Sequence, residues 1–236
     1  MKPAHLALML SLVAAALLLL AGPGTRMEWW DFRTGFQLMR WAAYTGIAAA
    51  GLAAAMIVVP QARRAGVGAL LFALVLGLVV AYVPWHGMRQ ARSVPPIHDI
   101  TTDTEQPPQF VAVLPLRDDA PNPAGYEGAE IARQQLEAYP DITTHRLAVS
   151  PDVAFASALA AAEAMGWEIV AADPAEGRIE ATDTTFWFGF KDDVVIRVAA
   201  DGAGSKVDVR SVSRVGRSDV GTNAKRIRDY LRKLGD

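Results

Sequence analysis

Residues 178–215 read RIEATDTTFWFGFKDDVVIRVAADGAGSKVDVRSVSRV, and their alternation decides the fold of the C-terminal half. Side chains along a strand point to opposite faces with a period of two. Ile179 and Ala181, then Val194, Ile196 and Val198, then Val207 and Val209 therefore share one face. Glu180 and Thr182, Val195 and Arg197, and Asp208, Arg210, Val212 and Arg214 take the other. The turn compositions of Asp173–Gly177 and Asp201–Ser205 read as hairpin connections. With Trp167–Ala172 in front, the runs 178–184, 194–200 and 206–215 predict an antiparallel four-stranded meander.

Helices flank this meander. Ser150-Pro151-Asp152 supplies an N-cap hydroxyl, proline at the first helical position and an early acid, and Phe155, Leu159, Ala162 and Met165 mark one apolar face before Gly166. Asn223–Leu234 places Ile227, Tyr230, Leu231 and Leu234 on one face of a terminal helix whose remainder is mostly basic. A short helix over Glu127–Tyr139 and a strand over Thr144–Val149 precede them. The expected class is α+β, with helices on one face of the sheet. The other face then carries Glu180, Arg197, Asp208 and Arg210 as cross-strand ion pairs in solvent, each contributing roughly 0.2–1 kcal/mol. Phe186, Trp187, Phe188 and Phe190 crowd one strand connection, either as a plug under the sheet or as a site that dips into lipid or grips an apolar ligand or partner.

Upstream, the chain is a different material. Residues 5–21, 41–59 and 66–84 contain no Lys, Arg, Asp or Glu, and each is long enough to cross a hydrocarbon core as a helix. Residues 1–84 are read as a three-span anchor, 85–122 as an extended Pro-rich leader and 123–236 as the α+β domain. The first span also fits a signal peptide in outline, but Gly22-Pro23-Gly24 is a poor cleavage site. Residues 26–40 read as a short interfacial helix or as a loop with aromatic anchors. Ala42, Gly46, Ala50 and Ala54 form a small-residue ladder for close helix packing. No relay-type ionisable side chain lies inside a span, so nothing suggests an ion path.

Charge follows the same division. Residues 1–84 hold six Lys/Arg against two Asp/Glu (+4), residues 85–205 eight against nineteen (−11), and residues 206–236 nine against four (+5). The formal net charge of −2 over 236 residues is thus a cancellation. Basic residues on the last helix are not interleaved with aromatics, which argues against nucleic acid. The absence of cysteine removes thiolate metal sites and a cysteine nucleophile. His5, His86, His98 and His145 are scattered, no loop has the oxygen spacing of a calcium site, and neither a metal nor a cofactor is expected. Orientation by charge is weak: with a cytoplasmic N-terminus, Lys2, Arg63 and Arg64 lie inside against Arg26, Arg33, Arg40, Arg89 and Arg92 outside.

The run from Val209 to Ile227 (VRSVSRVGRSDVGTNAKRI) resembles the signature end of the family known as domain of unknown function 1499, found in bacteria and plastids. HDITTD at 98–103, Pro107-Pro108, Phe110, Tyr139-Pro140-Asp141, Gly166-Trp167, IEATD at 179–183 and FKDDVVIR at 190–197 match in order, so the resemblance covers about residues 93–235. It implies no assigned activity. Its plastid members look lumenal, which implies an exported, periplasmic domain on a multi-pass protein of the bacterial inner membrane.

The same motifs also have a physical reading. Arg210, Ser211, Ser213, Arg214, Asp219, Asn223 and Arg226 put hydroxyls, guanidiniums and a helix N-terminus together, an arrangement able to hold an anion unless Asp219 caps the helix itself and Arg210 and Arg214 pair with Asp192, Asp193 or Glu180. Asp192, Asp193, Arg197, Trp187 and Phe188 complete the candidate binding set. Two hypotheses follow. One is a non-enzymatic membrane-tethered module that binds an envelope lipid or protein. The other is an envelope hydrolase with His98 as base, aided by Asp99 and Asp103 and an Arg210/Arg214 anion clamp.

Overall fold

The computed structural model describes residues 3–61 and 66–235, which form two units. Lys2, Arg63 and Arg64, on which the orientation count leans, lie outside the described residues.

The first unit comprises residues up to Gln90 together with Phe186–Gly189. Its helices are α1 (Pro3–Arg26), α2 (Phe32–Val58) and α3 (Val67–Ser93), each long and apolar enough to span a membrane. Their packing is that of a lipid-solvated unit. Large side chains such as Leu12, Leu19, Ile47, Val75 and Leu78 face outward, while Ala7, Ala14, Ala42, Ala49, Ala53 and Ala73 are buried. Lipid tails are as apolar as leucine, so helices associate through small residues that let backbones approach. Gly46 and Gly77 meet this way: a Cβ on Gly77 would stand 2.5 Å from the Gly46 carbonyl oxygen. The ladder therefore packs internally, but with Ala53 rather than Ala54 as its buried end. Residues 27–31 are a tight turn, and Asp31 caps α2 by accepting from Arg33 N at 2.8 Å. The stretch expected as a separate interfacial element is therefore this turn plus the start of α2.

The second unit is the α+β domain, with the sheet expanded. Its strands are β1 (Asp99–Thr101), β2 (His145–Leu147), β3 (Glu168–Asp173), β4 (Arg178–Thr184), β5 (Lys191–Asp201) and β6 (Gly204–Ser213), and its helices α4 (Ala129–Ala138), α5 (Pro151–Ala164) and α6 (Thr222–Gly235). The sheet has six strands rather than four. The meander β3-β4-β5-β6 is present, and the added strands lie end to end along the outer edge of β6, β1 pairing with 210–212 and β2 with 205–207. The Thr144–Val149 run predicts β2, at His145–Leu147, whereas β1 is too short to show alternation and only its pairing reveals it. Gln135 of α4 continues this edge by other means: its amide accepts from Thr101 N at 2.9 Å and donates to Thr101 O at 2.6 Å.

The core lies where the alternation puts it. Ile179, Ala181, Val194, Ile196, Val198, Val207 and Val209 pack with Ala154, Phe155, Ala158 and Ala162 of α5 and with Ile227 and Tyr230 of α6. Trp167 stacks on Tyr230 at 5.2 Å, and the Tyr230 hydroxyl donates to Ala158 O.

Candidate functional site

The face expected to be open to solvent is covered. Residues 102–126 cross it as a strap, and Glu180, Asp193, Asp208 and Arg210 beneath are fully buried. Alternation predicts which side chains share this face but says nothing about what lies over it. A charged face is not covered by apolar area alone, since each buried charge must find a partner. The strap supplies those partners in sequence order. Thr102 donates to Asp208 at 3.1 Å, and Asp103 takes Arg197 Nη2 at 2.8 Å while that guanidinium also reaches Asp208. Backbone N–H groups of Val111, Ala112 and Val113, at the start of a single 3-10 turn (Leu114–Arg117), all donate to the Glu180 carboxylate at 3.0 Å. Arg117 then meets Asp193 at 2.5 Å. A small apolar patch of Phe110, Val113, Val195 and Val212 sits among these pairs.

Arg210 is the centre of the covered face. Its guanidinium grips Asp99 with two bonds (3.0 and 2.7 Å), donates to the carbonyls of Pro108 and Ala124, and lies between the rings of Phe110 and Tyr126 at 5.2 and 5.4 Å. Arg214 is likewise bidentate on Asp193, at 2.9 and 2.8 Å. Burial pushes the Asp193 carboxyl up, but hydrogen bonds from Arg214, Thr182 and Arg117 outweigh it and hold the group below its ordinary value. For Asp99 the balance reverses: burial dominates over Arg210 and raises it. Burial also pushes the Tyr126 phenol up to about 12.

The remaining polar candidates belong to the helix side. Ser211 donates to Asn223 Oδ1 at 2.7 Å, and Asn223 Nδ2 donates to Ser213 Oγ and to the His98 carbonyl. Arg226 binds Asp192 at 2.6 Å and Asp183 at 2.8 Å, and also donates to Ser211 and Asn223. The positive end of α6 is taken by Asp219, which accepts from Gly221 N and Asn223 N at 2.8 and 2.7 Å. Burial raises Asp219 despite those two bonds. The anion-holding reading of this motif is thereby answered from within, each cation and the helix terminus having a carboxylate of the chain itself. Arg197, Arg210, Arg214 and Asp193 work on the strap side, and Ser211, Ser213, Asp192, Asn223 and Arg226 on the helix side, so they do not converge on one pocket.

The family model described as "Protein of unknown function (DUF1499)" matches residues 99–234. The chain belongs to this family. The DUF1499 match begins on the first residue of β1 and ends within α6, so both faces of the sheet and the strap are family property and the three spanning helices precede it. No curated protein sequence matches the chain significantly.

Immediately before the DUF1499 match, His98 has its imidazole Nε2 3.4 Å from Glu127, and that nitrogen has no hydrogen-bond partner among the described residues. Ser211 and Ser213, the nucleophiles a His98-based hydrolase would draw on, bond to Asn223 instead. Asp103 accepts from the backbone of Glu105 and Gln106 as well as from Arg197; burial opposes these bonds, but together they hold its carboxyl low. An open depression of about 510 Å³ along α6 is lined by Asp141, Lys225, Arg228, Asp229, Leu231 and Arg232, whose charges are paired with one another. Among the described residues no three His, Cys, Asp or Glu side chains are grouped for a metal.

The aromatic connection of the DUF1499 sequence is not a plug under the sheet. Phe186–Gly189 belongs to the first unit. Trp187 packs with Leu18, Ala42 and Val80, and it sits against Gly22 so closely that a Cβ there would collide with the indole. Phe188 lies 5.1 Å from the Phe36 ring and over Gly35, where a Cβ would come within 2.9 Å of it. Gly189 turns the chain at φ +72°, where a Cβ would come within 2.9 Å of the Arg26 side chain. Arg26 Nη1 donates to the Phe186 carbonyl at 2.5 Å, yet the Phe186 ring itself is 91% exposed. The residues that sequence reasoning misses are those defined only by contact: Arg117, Gln135 and Asn122 in the domain, and the glycines that seat the aromatics. Gly22 and Gly24, read only as a poor cleavage site, carry the one visible signal.

Proposed function

We propose that this DUF1499 protein is a non-catalytic module of the bacterial inner membrane whose domain faces the periplasm and binds an envelope component, lipid or protein. The observation that carries the reading is the Phe186 ring, presented on a loop whose next two side chains are fixed by Gly22, Gly35 and Phe36. An aromatic so exposed on an ordered loop is a contact surface. The exported orientation rests on the family resemblance. The hydrolase alternative needs Arg210 and Arg214 for an anion, and both guanidiniums are bidentate on Asp99 and Asp193.

The test is a photo-cross-linking amino acid at position 186 of the full chain in cells, beside alkaline-phosphatase and green-fluorescent-protein fusions at the C-terminus. A discrete lipid or protein adduct, absent when the cross-linker replaces exposed Val153, is expected together with phosphatase activity. Fluorescence without phosphatase activity would place the domain in the cytoplasm, and an adduct pattern identical to that of Val153 would remove the binding role.

A further inference from the structure

The partner of the exposed loop follows from where its seat lies. Gly22 and Arg26 lie in the last turns of α1, and Gly35 and Phe36 in the first turns of α2. As 24 residues, α1 is about 36 Å long. A hydrocarbon core is about 30 Å thick, so the charged end of α1 stands at headgroup depth. The side chains around that end have the composition of an interface: Met27, Trp29, Phe36 and Trp41 are exposed together with Arg26, Arg33 and Arg40, and Glu28 and Asp31 are the acids among them. Tryptophan is enriched where one edge of the ring meets acyl chain and the other meets water, and arginine reaches phosphate from there. Phe186 is tied to this end by the bond from Arg26 to its carbonyl, and its side chain is exposed, as are many of the large apolar side chains of α1 and α2.

We propose that Phe186 inserts into the bilayer at the boundary between headgroups and acyl chains, so that the loop is a lipid-contacting element fixed beside the first two spans. This deepens the binding reading above and rests on its claim that the loop is a contact surface. A free protein-binding loop would not need its neighbours fastened to the interfacial end of two spanning helices. Trp187 and Phe188 hold the loop backbone at that depth.

The chain has no cysteine, so a nitroxide at Phe186→Cys in the full chain is the only label. In phosphatidylcholine/phosphatidylglycerol vesicles, collision rates with oxygen and with a water-soluble nickel chelate are compared with those of labels at Val75→Cys in α3 and Val153→Cys in α5. The expected result is an oxygen-to-nickel ratio at 186 several-fold above that at 153 and below that at 75. Equality with 153 overturns the proposal. The native ring is checked separately by the 186 photo-cross-linker in the same protein-free vesicles, where a phospholipid adduct is expected and its absence counts against insertion. A water-exposed label combined with a protein adduct in cells overturns lipid insertion and leaves the binding reading standing, whereas a water-exposed label with no adduct in either setting removes both.

Discussion

Both faces of the domain sheet carry fully buried side chains, and at their centres the materials are opposite. On the helix side Ile179, Val194, Ile196, Val207 and Val209 are fully covered by aliphatic and aromatic neighbours. On the strap side Glu180, Asp193, Asp208 and Arg210 are covered just as completely, by residues whose main contribution is donors and charges. Apolar burial is non-directional and tolerates repacking. Buried ion pairs are directional: their attraction offsets desolvation only when geometry and remaining hydrogen bonds are satisfied. One face therefore supplies the driving force for folding, and the other fixes where residues 102–126 lie.

The largest effect should come from breaking one buried pair. Arg210→Met leaves the Asp99 carboxylate buried without its guanidinium, and losing one partner of such a pair costs about 3–5 kcal/mol. Adding Asp99→Leu should recover most of that loss, because an apolar pair of similar volume is often as stable as the ionic one. Hydrogen exchange of β1, β6 and strap peptides in the full chain in detergent measures both. If the double variant were as unstable as the single one, the strap face would need charge for stability and not only for placement.

Glu180→Gln is a narrower break. Its two oxygens accept from Val111, Ala112 and Val113, and Arg178 also donates to it at 3.0 Å. Glutamine keeps one acceptor oxygen, so at least one buried N–H loses its partner, at a cost of about 1–3 kcal/mol. Exchange should accelerate at 110–117 while α5 and the helix-side core keep their protection. Uniform acceleration across the domain would show that the two faces unfold as one.

Acid separates Asp193 from Asp219 by sign. Asp193 on the strap side titrates below its ordinary value in the folded state, so its contribution is present above the unfolded-state value and is lost as pH falls through the folded one. Asp219, raised by burial, does the reverse: its contribution is present in acid and is lost as pH rises through its folded value. Below about pH 4 the contacts of Arg117 and Arg214 should loosen while the start of α6 holds. Asp193→Asn should abolish that acid step, and persistence of the step in this variant would move its origin to another carboxylate.

How much of this was legible depends on whether a feature repeats. Period-two alternation in 178–213 assigns Ile196 and Arg197 to their correct faces, and uncharged stretches mark all three spanning helices. Ser150-Pro151 and Gly166 bracket α5 closely, at Pro151–Ala164, although the Ser150 side chain makes no cap bond and only its extended backbone marks the start. What fails to show is non-repeating and non-local. Arg117 meets Asp193 across 76 residues, and Arg210 meets Asp99 across 111. No window contains both partners, so a covered charged face reads the same as a solvated one. The aromatic cluster at 186–190 was visible as an anomaly, but its seat at Gly22 and Gly35 lies some 150 residues or more away, among residues that look unremarkable in sequence.

The smallest effect calibrates the rest. Arg228 and Asp141 form a bidentate pair at 2.6 and 2.7 Å, a geometry at least as good as that of Arg210 and Asp99, but both side chains are about half exposed. Solvent screens the attraction, and holding two mobile side chains together has an entropic cost, so exposed pairs contribute about 0–1 kcal/mol. Arg228 also covers the ring of Tyr139 at 5.3 Å, so its stem contributes packing that a charge count omits. Arg228→Ala should therefore change exchange at α6 by no more than about 1 kcal/mol. Arg228→Lys should keep the charge while losing the fork and the planar contact with the ring. If Arg228→Ala matched the loss from Arg210→Met, bond geometry rather than burial would set the strength of these pairs, and the distinction between the strap face and the open surface would fail.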